Sequence, residues 1–263
     1  MITVFTSTYN RAYTLPRLYE SLVGQKKQNF EWLLIDDGSV DETRHLVETF
    51  QEENKIDIRY IYCKNGGKQR AINYGIELAR GELFFIVDSD DYLLPDALEQ
   101  IGSAWHEVTE KESYAGLCFR KIKSPAMTLL GDPFPHKKFD TDSLELAYTY
   151  EGNIDKAEVF QTAVLKNFPF PEIVGENFVP EALVWFRMAA AGFRLRCIDE
   201  GIYVCEYLSD GLTRHFSSNL KRNYQGFALF YRELLRYKQP AVWPDKLKAC
   251  IRLLQCKWQG LIR

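Results

Sequence analysis

The sequence predicts an α/β fold, with a mixed but mostly parallel central sheet flanked by helices. Short apolar segments alternate with amphipathic ones through roughly the first hundred residues, which is typical of repeated strand-helix units. Of the 263 residues, 46% are hydrophobic and 26% charged, the composition of an ordinary globular protein. The length favours one large domain, or a domain with an appendage.

Four strands are predicted in this first part, at residues 3–7, 32–36, 58–63 and 83–87. Each is followed by a helix whose apolar residues recur at intervals of three or four, as Leu15, Leu18 and Leu22 do after the first strand. Apolar strands of this kind form parallel sheets that are covered on both faces. Ligands of such sheets bind beyond the carboxyl ends of the strands, so we expect one site there.

The rest of the chain is less regular. Further strands are predicted at residues 114–122, 157–164 and 196–199, a loop at 124–135 and a helix at 180–191. The end of the chain is predicted to be helical, with an apolar repeat at intervals of four and three formed by Leu247, Ile251, Leu254, Trp258 and Leu261. We divide the chain into a domain at 1–213, with halves at 1–110 and 111–213, and a basic helical C-terminal extension at 214–263.

Charge is distributed unevenly. Residues 214–263 carry eleven Lys and Arg against two acidic residues, a net charge of +9, which leaves −12 on the remainder because the whole chain carries −3. A basic end on an acidic body predicts an anionic partner such as a membrane surface, the alternative being a solvated helical face. Since no nucleic-acid-binding motif is present, we expect no nucleic acid partner.

The expected location is the cytoplasm, with at most peripheral attachment to the inner face of the membrane. The first residues read as a strand, with no secretion signal, and no apolar run approaches the roughly 20 residues that span a bilayer. The six cysteines never occur at C-x-x-C spacing, which favours reduced thiols over a zinc site or a redox pair.

Two acidic clusters stand where apolar strands should end. Residues 32–35 run into Asp36-Asp37-Gly38-Ser39, and residues 83–87 run into Asp88-Ser89-Asp90-Asp91. Carboxylates repel one another beside apolar strands unless a positive charge lies between them. Mg²⁺ and Mn²⁺ take oxygen ligands and are often held by one or two carboxylates and by phosphates. The clusters therefore predict a nucleoside-diphosphate substrate with a divalent cation.

The first part of the chain resembles the nucleotide-binding half of inverting family 2 glycosyltransferases, which have the GT-A fold. Four motifs occur in the order of that family, and they are Ser7-Thr8-Tyr9-Asn10-Arg11, Asp36-Asp37-Gly38-Ser39-Val40-Asp41, Asn65-Gly66-Gly67 with Ala71, Asn73 and Gly75, and Asp88-Ser89-Asp90-Asp91. The resemblance is strong over roughly the first 110 residues and thinner afterwards.

The resemblance implies a role for each match on the nucleoside side. Thr8, Tyr9 and Arg11 would line the base and ribose pocket. Asp37 would accept a hydrogen bond from the base, with Asp36 supporting the turn. The residues themselves leave a second interpretation open, because Asp, Gly and Ser also favour plain turns and helix caps.

The resemblance also implies the groups around the diphosphate. Lys68 would lie near the base or the phosphates. Asp88 and Ser89 would contact the nucleotide, and Asp88 and Asp90 would hold the metal ion, which is Mn²⁺ or Mg²⁺ in the family. The Asn65-Gly66-Gly67 segment would shape the site, although glycine's freedom at positive φ also suits an ordinary strand-to-helix turn.

The predicted catalytic base is Glu181. Inverting transfer needs a carboxylate that takes the proton of the acceptor hydroxyl. In the family this acid begins a helix, usually in a Glu-Asp pair followed by an apolar run and an Arg, and alignment on Arg187 puts Glu181 in its place, with Pro180 at the preceding acid. Glu176 and Asp91 are the rival bases, and His215 is a further candidate metal ligand.

These interpretations predict a metal-dependent inverting glycosyltransferase. It would move a sugar from a nucleotide-diphosphate donor, expected to be a UDP-sugar, to a hydroxyl of a saccharide or lipid-linked saccharide in surface polysaccharide biosynthesis. One alternative is a nucleotide-sugar-binding module without turnover. The other is a phosphatase of the Asp-x-Asp type, because Asp88-Ser89-Asp90 has that spacing.

Overall fold

The computed structural model of the protein describes residues 1–150, 154–207, 216–237 and 243–262. The strands are β1 Ile2–Thr8, β2 Phe30–Asp36, β3 Ile58–Tyr62, β4 Leu83–Ile86, β5 Tyr92–Leu93, β6 Tyr114–Lys123, β7 Thr128–Leu129, β8 Lys138–Thr141, β9 Lys156–Gln161 and β10 Arg194–Cys205. The α-helices are α1 Leu15–Val23, α2 Thr43–Glu53, α3 Lys68–Leu78, α4 Ala97–His106, α5 Ser143–Glu145, α6 Thr162–Leu165, α7 Ala182–Ala190, α8 Phe216–Arg222, α9 Tyr224–Leu234 and α10 Trp243–Ile262. Short 3₁₀ and π turns occupy Lys111–Ser113 and Leu146–Tyr150.

These strands form a single sheet. Its order is β3-β2-β1-β4-β9-β6-β10-β5, with β7 beside β6 and β8 beside β10. The neighbours among β1 to β4 pair in parallel, and β6 pairs in parallel with β10. Strand β9 lies between β4 and β6 and is antiparallel to both. The predicted mixed, mostly parallel sheet is confirmed.

Both faces of the sheet are covered, as expected of a parallel sheet. Successive residues of a strand point to opposite faces, and the two hydrophobic cores divide the strands accordingly. Val4, Leu34 and Phe85 belong to the core that also holds the buried residues of α1, α2 and α4. Phe5, Leu33 and Phe84 belong to the core that also holds the buried residues of α3 and α7.

The parallel register brings the carboxyl ends of the central strands to one edge. Thr8, the last residue of β1, pairs with Asp36, the last residue of β2. On its other side β1 pairs with β4, whose last residue, Ile86, lies beside Phe5. Helix α3 starts just beyond the carboxyl end of β3. Both acidic clusters and the Asn65-Gly66-Gly67 turn therefore meet at the same edge.

Several predicted boundaries were wrong. Residues 162–164, predicted as strand, are helical in α6, because the β4 ladder ends where Leu83 pairs with Gln161. The predicted strand at 196–199 is part of the longer β10, which is stabilised along its length by pairing with β6. The predicted loop at 124–135 contains β7, and helix α7 covers residues 182–190.

The C-terminal helices pack against the sheet domain. Arg187 of α7 donates two hydrogen bonds to Glu233 of α9, from Nε at 2.9 Å and from Nη2 at 2.7 Å. The predicted boundary between residues 213 and 214 lies outside the described residues, as does the candidate metal ligand His215. In the part of the chain that the structure describes, no helix combines the length and hydrophobicity needed to cross a membrane.

Candidate active site

A cleft of about 620 Å³ opens at the carboxyl edge of the sheet. Nine of the ten residues predicted for the site line it, and they are Thr8, Tyr9, Arg11, Asp37, Lys68, Asp88, Ser89, Asp90 and Glu181. The tenth, Asp36, is fully buried beneath the cleft wall. Its carboxylate accepts hydrogen bonds from the Ser39 amide at 2.7 Å and from the Tyr60 hydroxyl at 2.6 Å. Asp36 thus holds the turn that follows β2.

Asp37 is bound by the Asn65-Gly66-Gly67 turn. Its two carboxylate oxygens accept hydrogen bonds from the amides of Gly66, at 2.7 Å, and Gly67, at 2.8 Å. Burial, reinforced by the charge of Asp36, raises the pKa of Asp37 despite these bonds. Gly67 has a φ of +94°, and a Cβ there would lie 2.1 Å from the backbone oxygen of Asn177. Glycine is therefore required at position 67, where this turn ends and α3 begins.

Lys68, the first residue of α3, bridges two acids in the cleft. Its Nζ lies 2.6 Å from Asp88 Oδ1 and 2.9 Å from Glu181 Oε1. Burial alone would lower the pKa of Lys68, but the two carboxylates outweigh it, so the pKa lies above its ordinary value. Burial acts to raise the pKa of Asp88, but the charges of Lys68 and Lys121 bring it below its usual range. Lys68 and Asp88 are therefore both charged at neutral pH.

Asp90 and Ser89 complete the motif. Both line the cleft, and burial together with the nearby Asp88 charge raises the pKa of Asp90. The neighbouring carboxylates of Asp88 and Asp90 fit a divalent cation, because a cation between them would remove their mutual repulsion. Within the described residues, no group of three or more His, Cys, Asp or Glu side chains is arranged to hold a metal ion. A cation here would need further oxygen ligands from the donor's diphosphate.

Asp91, one rival base, is anchored to β10. Its Oδ2 accepts the hydroxyl of Tyr203 at 2.7 Å, and its Oδ1 accepts the amide of Glu206 at 3.0 Å. Burial raises the pKa of Asp91 to about 7. The Tyr203 hydroxyl also accepts the amide of Asp88 at 3.0 Å, so Asp91 and Tyr203 together fix the backbone of the acidic motif.

Glu181 stands at the N-terminal cap of α7, where Pro180 precedes it. Proline suits the start of a helix because it lacks the amide that would be left unpaired there. The side chain of Glu181 is 31% exposed and reaches the cleft on the side of Lys68. A carboxylate in this position is open to an acceptor hydroxyl.

Glu176, the other rival base, is occupied elsewhere. It is 3% exposed, and its two oxygens accept the amides of Gln225 and Gly226, each at 2.8 Å. These amides are at the start of α9, where helical amides have no partner in their own helix. Glu176 therefore caps α9.

Thr8, Tyr9 and Arg11 line one part of the cleft wall. Thr8 is 2% exposed, and its buried hydroxyl has no hydrogen-bond partner in the described structure. Tyr9 is 50% exposed. Arg11 stacks on Tyr13, with 5.7 Å between its guanidinium carbon and the ring centroid. The stretch after β1 is thus suited to contact a planar base and a ribose.

Sequence reasoning missed the charged residues that β6 and β9 bring into the cleft. Lys121 lies with its Nζ 4.1 Å from the centre of the Tyr203 ring, and the charges of Asp88 and Asp91 raise its pKa against the effect of burial. Burial raises the pKa of Glu158 to about 7, against the opposing charges of Lys156 and Lys121. Charged residues inside otherwise buried strands were the signal available for both.

Sequence reasoning also missed an aromatic wall. It is contributed by α7, by the segment before it and by the C-terminal helices, and consists of Phe178, Trp185, Phe216, Phe227, Phe230 and Tyr231. Aromatic faces of this kind commonly pack against the apolar faces of ligands. The C-terminal helices therefore contribute to the cleft.

Residues 3–111 match the model of glycosyl transferase family 2. A glycosyltransferase of Mycoplasma pneumoniae, itself uncharacterised, is 36% identical over 132 residues, which are 46% of this chain and 43% of that protein. Glycosyltransferase GlyG of Streptococcus pneumoniae serotype 4 is 34% identical over 115 residues, or 43% of this chain and 36% of that protein. The chain thus spans less than half the length of these relatives.

Solved structures share the fold over nearly the whole chain. TarS 1–349 of Staphylococcus aureus in complex with UDP-GlcNAc superposes with a TM-score of 0.71 and 20% identity, over 98% of this chain and 72% of that one. The mannosyltransferase PcManGT of Pyrobaculum calidifontis, in complex with GDP-Man and Mn²⁺, superposes with a TM-score of 0.62 and 19% identity. The superposition covers 98% of this chain and 71% of that one. At these identities the likeness concerns the fold alone, and it confirms the predicted GT-A fold.

Proposed function

We propose that the chain, whose residues 3–111 match the model of glycosyl transferase family 2, is a metal-dependent inverting glycosyltransferase. The reaction is the transfer of a sugar from a nucleotide-diphosphate donor to a hydroxyl group of a saccharide acceptor. The single observation that carries the proposal is the convergence of Asp88, Asp90, Lys68 and Glu181 in one cleft. This reaction needs acids that hold a cation, a base for the acceptor hydroxyl and a positive group for the phosphates. Asp88 and Asp90, Glu181 and Lys68 would supply them in that order.

Glu181 takes the proton of the acceptor hydroxyl in this mechanism. The deprotonated oxygen attacks the anomeric carbon from the side opposite the diphosphate, so the configuration inverts and no covalent nucleophile is required. The position of Glu181 in the cleft, where its side chain is 31% exposed, supports this role. The two rival acids are bonded to other groups. Glu176 caps α9, and Asp91 is bonded to Tyr203 and Glu206.

Asp88 and Asp90 would hold Mn²⁺ or Mg²⁺. Such a cation, when bound, stabilises the negative charge that develops on the departing diphosphate. Lys68 would exchange its contact with Asp88 for one with a phosphate oxygen, and Ser89 would contact the nucleotide. The complex of PcManGT with GDP-Man and Mn²⁺ shows that a protein of this fold binds a donor together with manganese.

The donor we propose is a UDP-sugar. Its support is the complex of TarS with UDP-GlcNAc, although PcManGT, with the same fold, holds a guanine nucleotide. Thr8, Tyr9, Arg11 and Asp37 would contact the nucleoside, with Asp36 holding the turn beneath them. The exposed ring of Tyr9, which lines the cleft, favours this assignment.

The acceptor we propose is a saccharide, free or lipid-linked, in surface polysaccharide biosynthesis, and the site of action is the cytoplasm. The aromatic wall of the cleft supports a carbohydrate acceptor, because the apolar faces of sugars pack against aromatic rings. Trp185, Phe230 and Tyr231 are the rings that would do so.

The test is the variant Glu181→Gln, which keeps the shape of the side chain and removes its basicity. Sugar transfer is expected to fall by at least roughly a hundredfold, the usual contribution of a general base, while UDP affinity stays within a few fold. Hydrolysis of a UDP-sugar panel with Mn²⁺ provides the activity readout, because free UDP distinguishes an enzyme from a binding module.

Glu176→Gln is the matched control. It replaces a rival acid by the same amide and should lower stability without changing turnover of the folded protein. Normal turnover by the Glu181 variant would remove this residue from the mechanism. Binding of UDP-sugars without turnover by the wild-type protein would replace the proposed enzyme with a module.

A further inference from the structure

Helix α10 turns an apolar stripe towards solvent. The members of this stripe and their exposed fractions are Leu247 48%, Ile251 48%, Leu254 64%, Trp258 63% and Leu261 82%. The opposite face of the helix packs against the protein, where Ala249 and Cys256 are 2% and 0% exposed. Exposed apolar side chains gathered into one patch mark an interaction site more often than scattered ones do.

Lysines flank the stripe on both sides. At 3.6 residues per turn the five apolar residues fall within an arc of roughly 80°, with Lys248 and Lys257 roughly 80–100° from its centre on either side. Lys248 is 78% exposed and Lys257 is also exposed. The whole helix carries four Lys and Arg against the single acid Asp245. The charged residues nearest the stripe are therefore lysines, of which Lys248 lies 3.7 Å from Asp245.

This charge pattern argues against a second copy of the chain on the stripe. Two helices that pair through an apolar seam use opposite charges beside that seam to set their pairing. Pairing of two α10 helices would bring lysines together, with only Asp245 on each helix to offset them. An anionic surface, in contrast, is complementary to both lysine rows at once.

We propose that α10 docks on an anionic lipid surface, with its axis in the plane of the membrane. The apolar stripe enters the boundary between headgroups and acyl chains, and Lys248 and Lys257 contact phosphate groups at either side. Trp258 suits this depth, because an indole ring is apolar with one polar N–H. The body of the chain, with a net charge of −12 over residues 1–213, is repelled by the same surface. Only the basic end would face the membrane.

The docked orientation brings the cleft close to the lipid. Helix α10 packs on α9, and Phe227, Phe230 and Tyr231 of α9 line the cleft. Helix α9 thus lies between α10 and the cleft, and the axes of packed helices are roughly 10 Å apart. Docking of α10 on the membrane favours a lipid-linked acceptor for the proposed glycosyltransferase. Only this point about the acceptor rests on the proposed function. Membrane binding itself is measured without turnover, so the two can fail separately.

The test is co-sedimentation of the full chain with vesicles, at low and high salt. One set of vesicles contains about one-third phosphatidylglycerol in phosphatidylcholine, and the other contains phosphatidylcholine alone. We expect binding to the anionic vesicles that weakens with salt, and little binding to the neutral ones. Absence of binding to anionic vesicles at low salt would overturn the proposal.

Two double variants separate the contributions. Leu254→Gln with Trp258→Gln removes part of the stripe and should weaken binding at least tenfold. Lys248→Gln with Lys257→Gln should weaken it about fivefold for each lysine, the equivalent of roughly 1 kcal/mol per charge near an anionic surface. Lys26→Gln with Lys27→Gln is the matched control, because it removes the same charge from exposed residues outside α10.

The same variants also test two competing explanations, which are charge elsewhere on the chain and a second copy of the chain. All four substituted residues of α10 face solvent, and an unchanged melting temperature would show that the variants fold. Equal vesicle binding by all variants and the control would assign the attraction to charge elsewhere and overturn the role of α10. A dimer in sedimentation equilibrium that the Leu254 and Trp258 variant abolishes, without vesicle binding, would assign the stripe to a second copy and overturn it too.

Discussion

Lys68 should compete with a divalent cation for Asp88, and the substitution Lys68→Met tests this directly. In the structure its ammonium contacts Asp88 at 2.6 Å and Glu181 at 2.9 Å. A cation that binds Asp88 in the absence of donor must therefore displace an existing ion pair. Methionine keeps most of the volume of lysine and removes the charge. The variant should bind Mn²⁺ more tightly than the wild-type protein when no nucleotide is present.

The size of this gain follows from the ion pair. Two unit charges about 4 Å apart attract by about 4 kcal/mol at an effective dielectric constant of 20. The side chains of Lys68 and Asp88 are 22% and 34% exposed, so water screens part of this attraction. After this screening, the ion pair contributes a net stabilisation of roughly 1–2 kcal/mol. It corresponds to a roughly 5- to 30-fold lower Kd for Mn²⁺ in the variant.

The measurement is Mn²⁺ titration of donor-free protein by electron paramagnetic resonance, which counts the free ion. Lys64→Met is the matched control, because Lys64 is exposed, lies four residues before Lys68 and is not among the residues that line the cleft. Lys68→Arg keeps the charge and should resemble the wild type. UDP should show the opposite trend, binding Lys68→Met more weakly because a phosphate contact is lost. A variant that binds Mn²⁺ no more tightly than Lys64→Met would refute the competition.

Two further predictions concern the turn and the buried acid. Gly67→Ala should lower the free energy of unfolding by roughly 1–3 kcal/mol more than Gly175→Ala; both glycines have positive φ, but only at Gly67 would a Cβ meet backbone, that of Asn177. Equal losses in chemical denaturation would contradict the close approach. Glu158→Gln should stabilise the protein at pH 8 by roughly 1–3 kcal/mol relative to its effect at pH 4. Burial raises the pKa of Glu158 from 4.5 to about 7, so its contribution to stability is fully present below 4.5 and is lost as pH rises through 7. A constant difference between variant and wild type from pH 4 to 8 would show that Glu158 titrates normally.

The sequence allowed much of the site to be predicted because its determinants are local. Asp37 and Asp88 follow apolar strands directly, and parallel strands deliver their carboxyl ends to one edge whatever the details of packing. Glu181 is different, because 93 positions separate it from Asp88. Its place came from resemblance to a family motif, and the structure brings it to the cleft through the start of α7.

What could not be predicted depends on pairing between distant segments. Strand β9 enters the sheet antiparallel between β4 and β6, and no local pattern encodes that position. Its insertion brings Glu158 into the cleft beside Lys121 of β6. The bonds from Gly66 and Gly67 to both oxygens of Asp37 likewise depend on two loops meeting. A carboxylate expected to face only a base is in fact also a structural acceptor.

The charge balance of the cleft explains why a donor should need a metal ion. Eight acidic residues line the cleft, namely Asp37, Asp88, Asp90, Asp91, Asp155, Glu158, Glu181 and Glu206, against four basic ones, Arg11, Lys68, Lys121 and Lys156. A formal excess of negative charge repels a diphosphate. The raised pKa values of Asp90, Asp91 and Glu158 relieve only part of this repulsion.

A divalent cation removes the remaining repulsion where the phosphates would lie, at Asp88 and Asp90. We therefore expect calorimetry to give a Kd for UDP at least roughly tenfold lower with Mn²⁺ than with EDTA, a difference of 1.4 kcal/mol or more. Uridine, which has no phosphate, is the control and should bind equally in both. UDP that binds as tightly in EDTA as in Mn²⁺ would mean that Lys68 and Lys121 neutralise the diphosphate by themselves. The cation would then have no part in holding the donor.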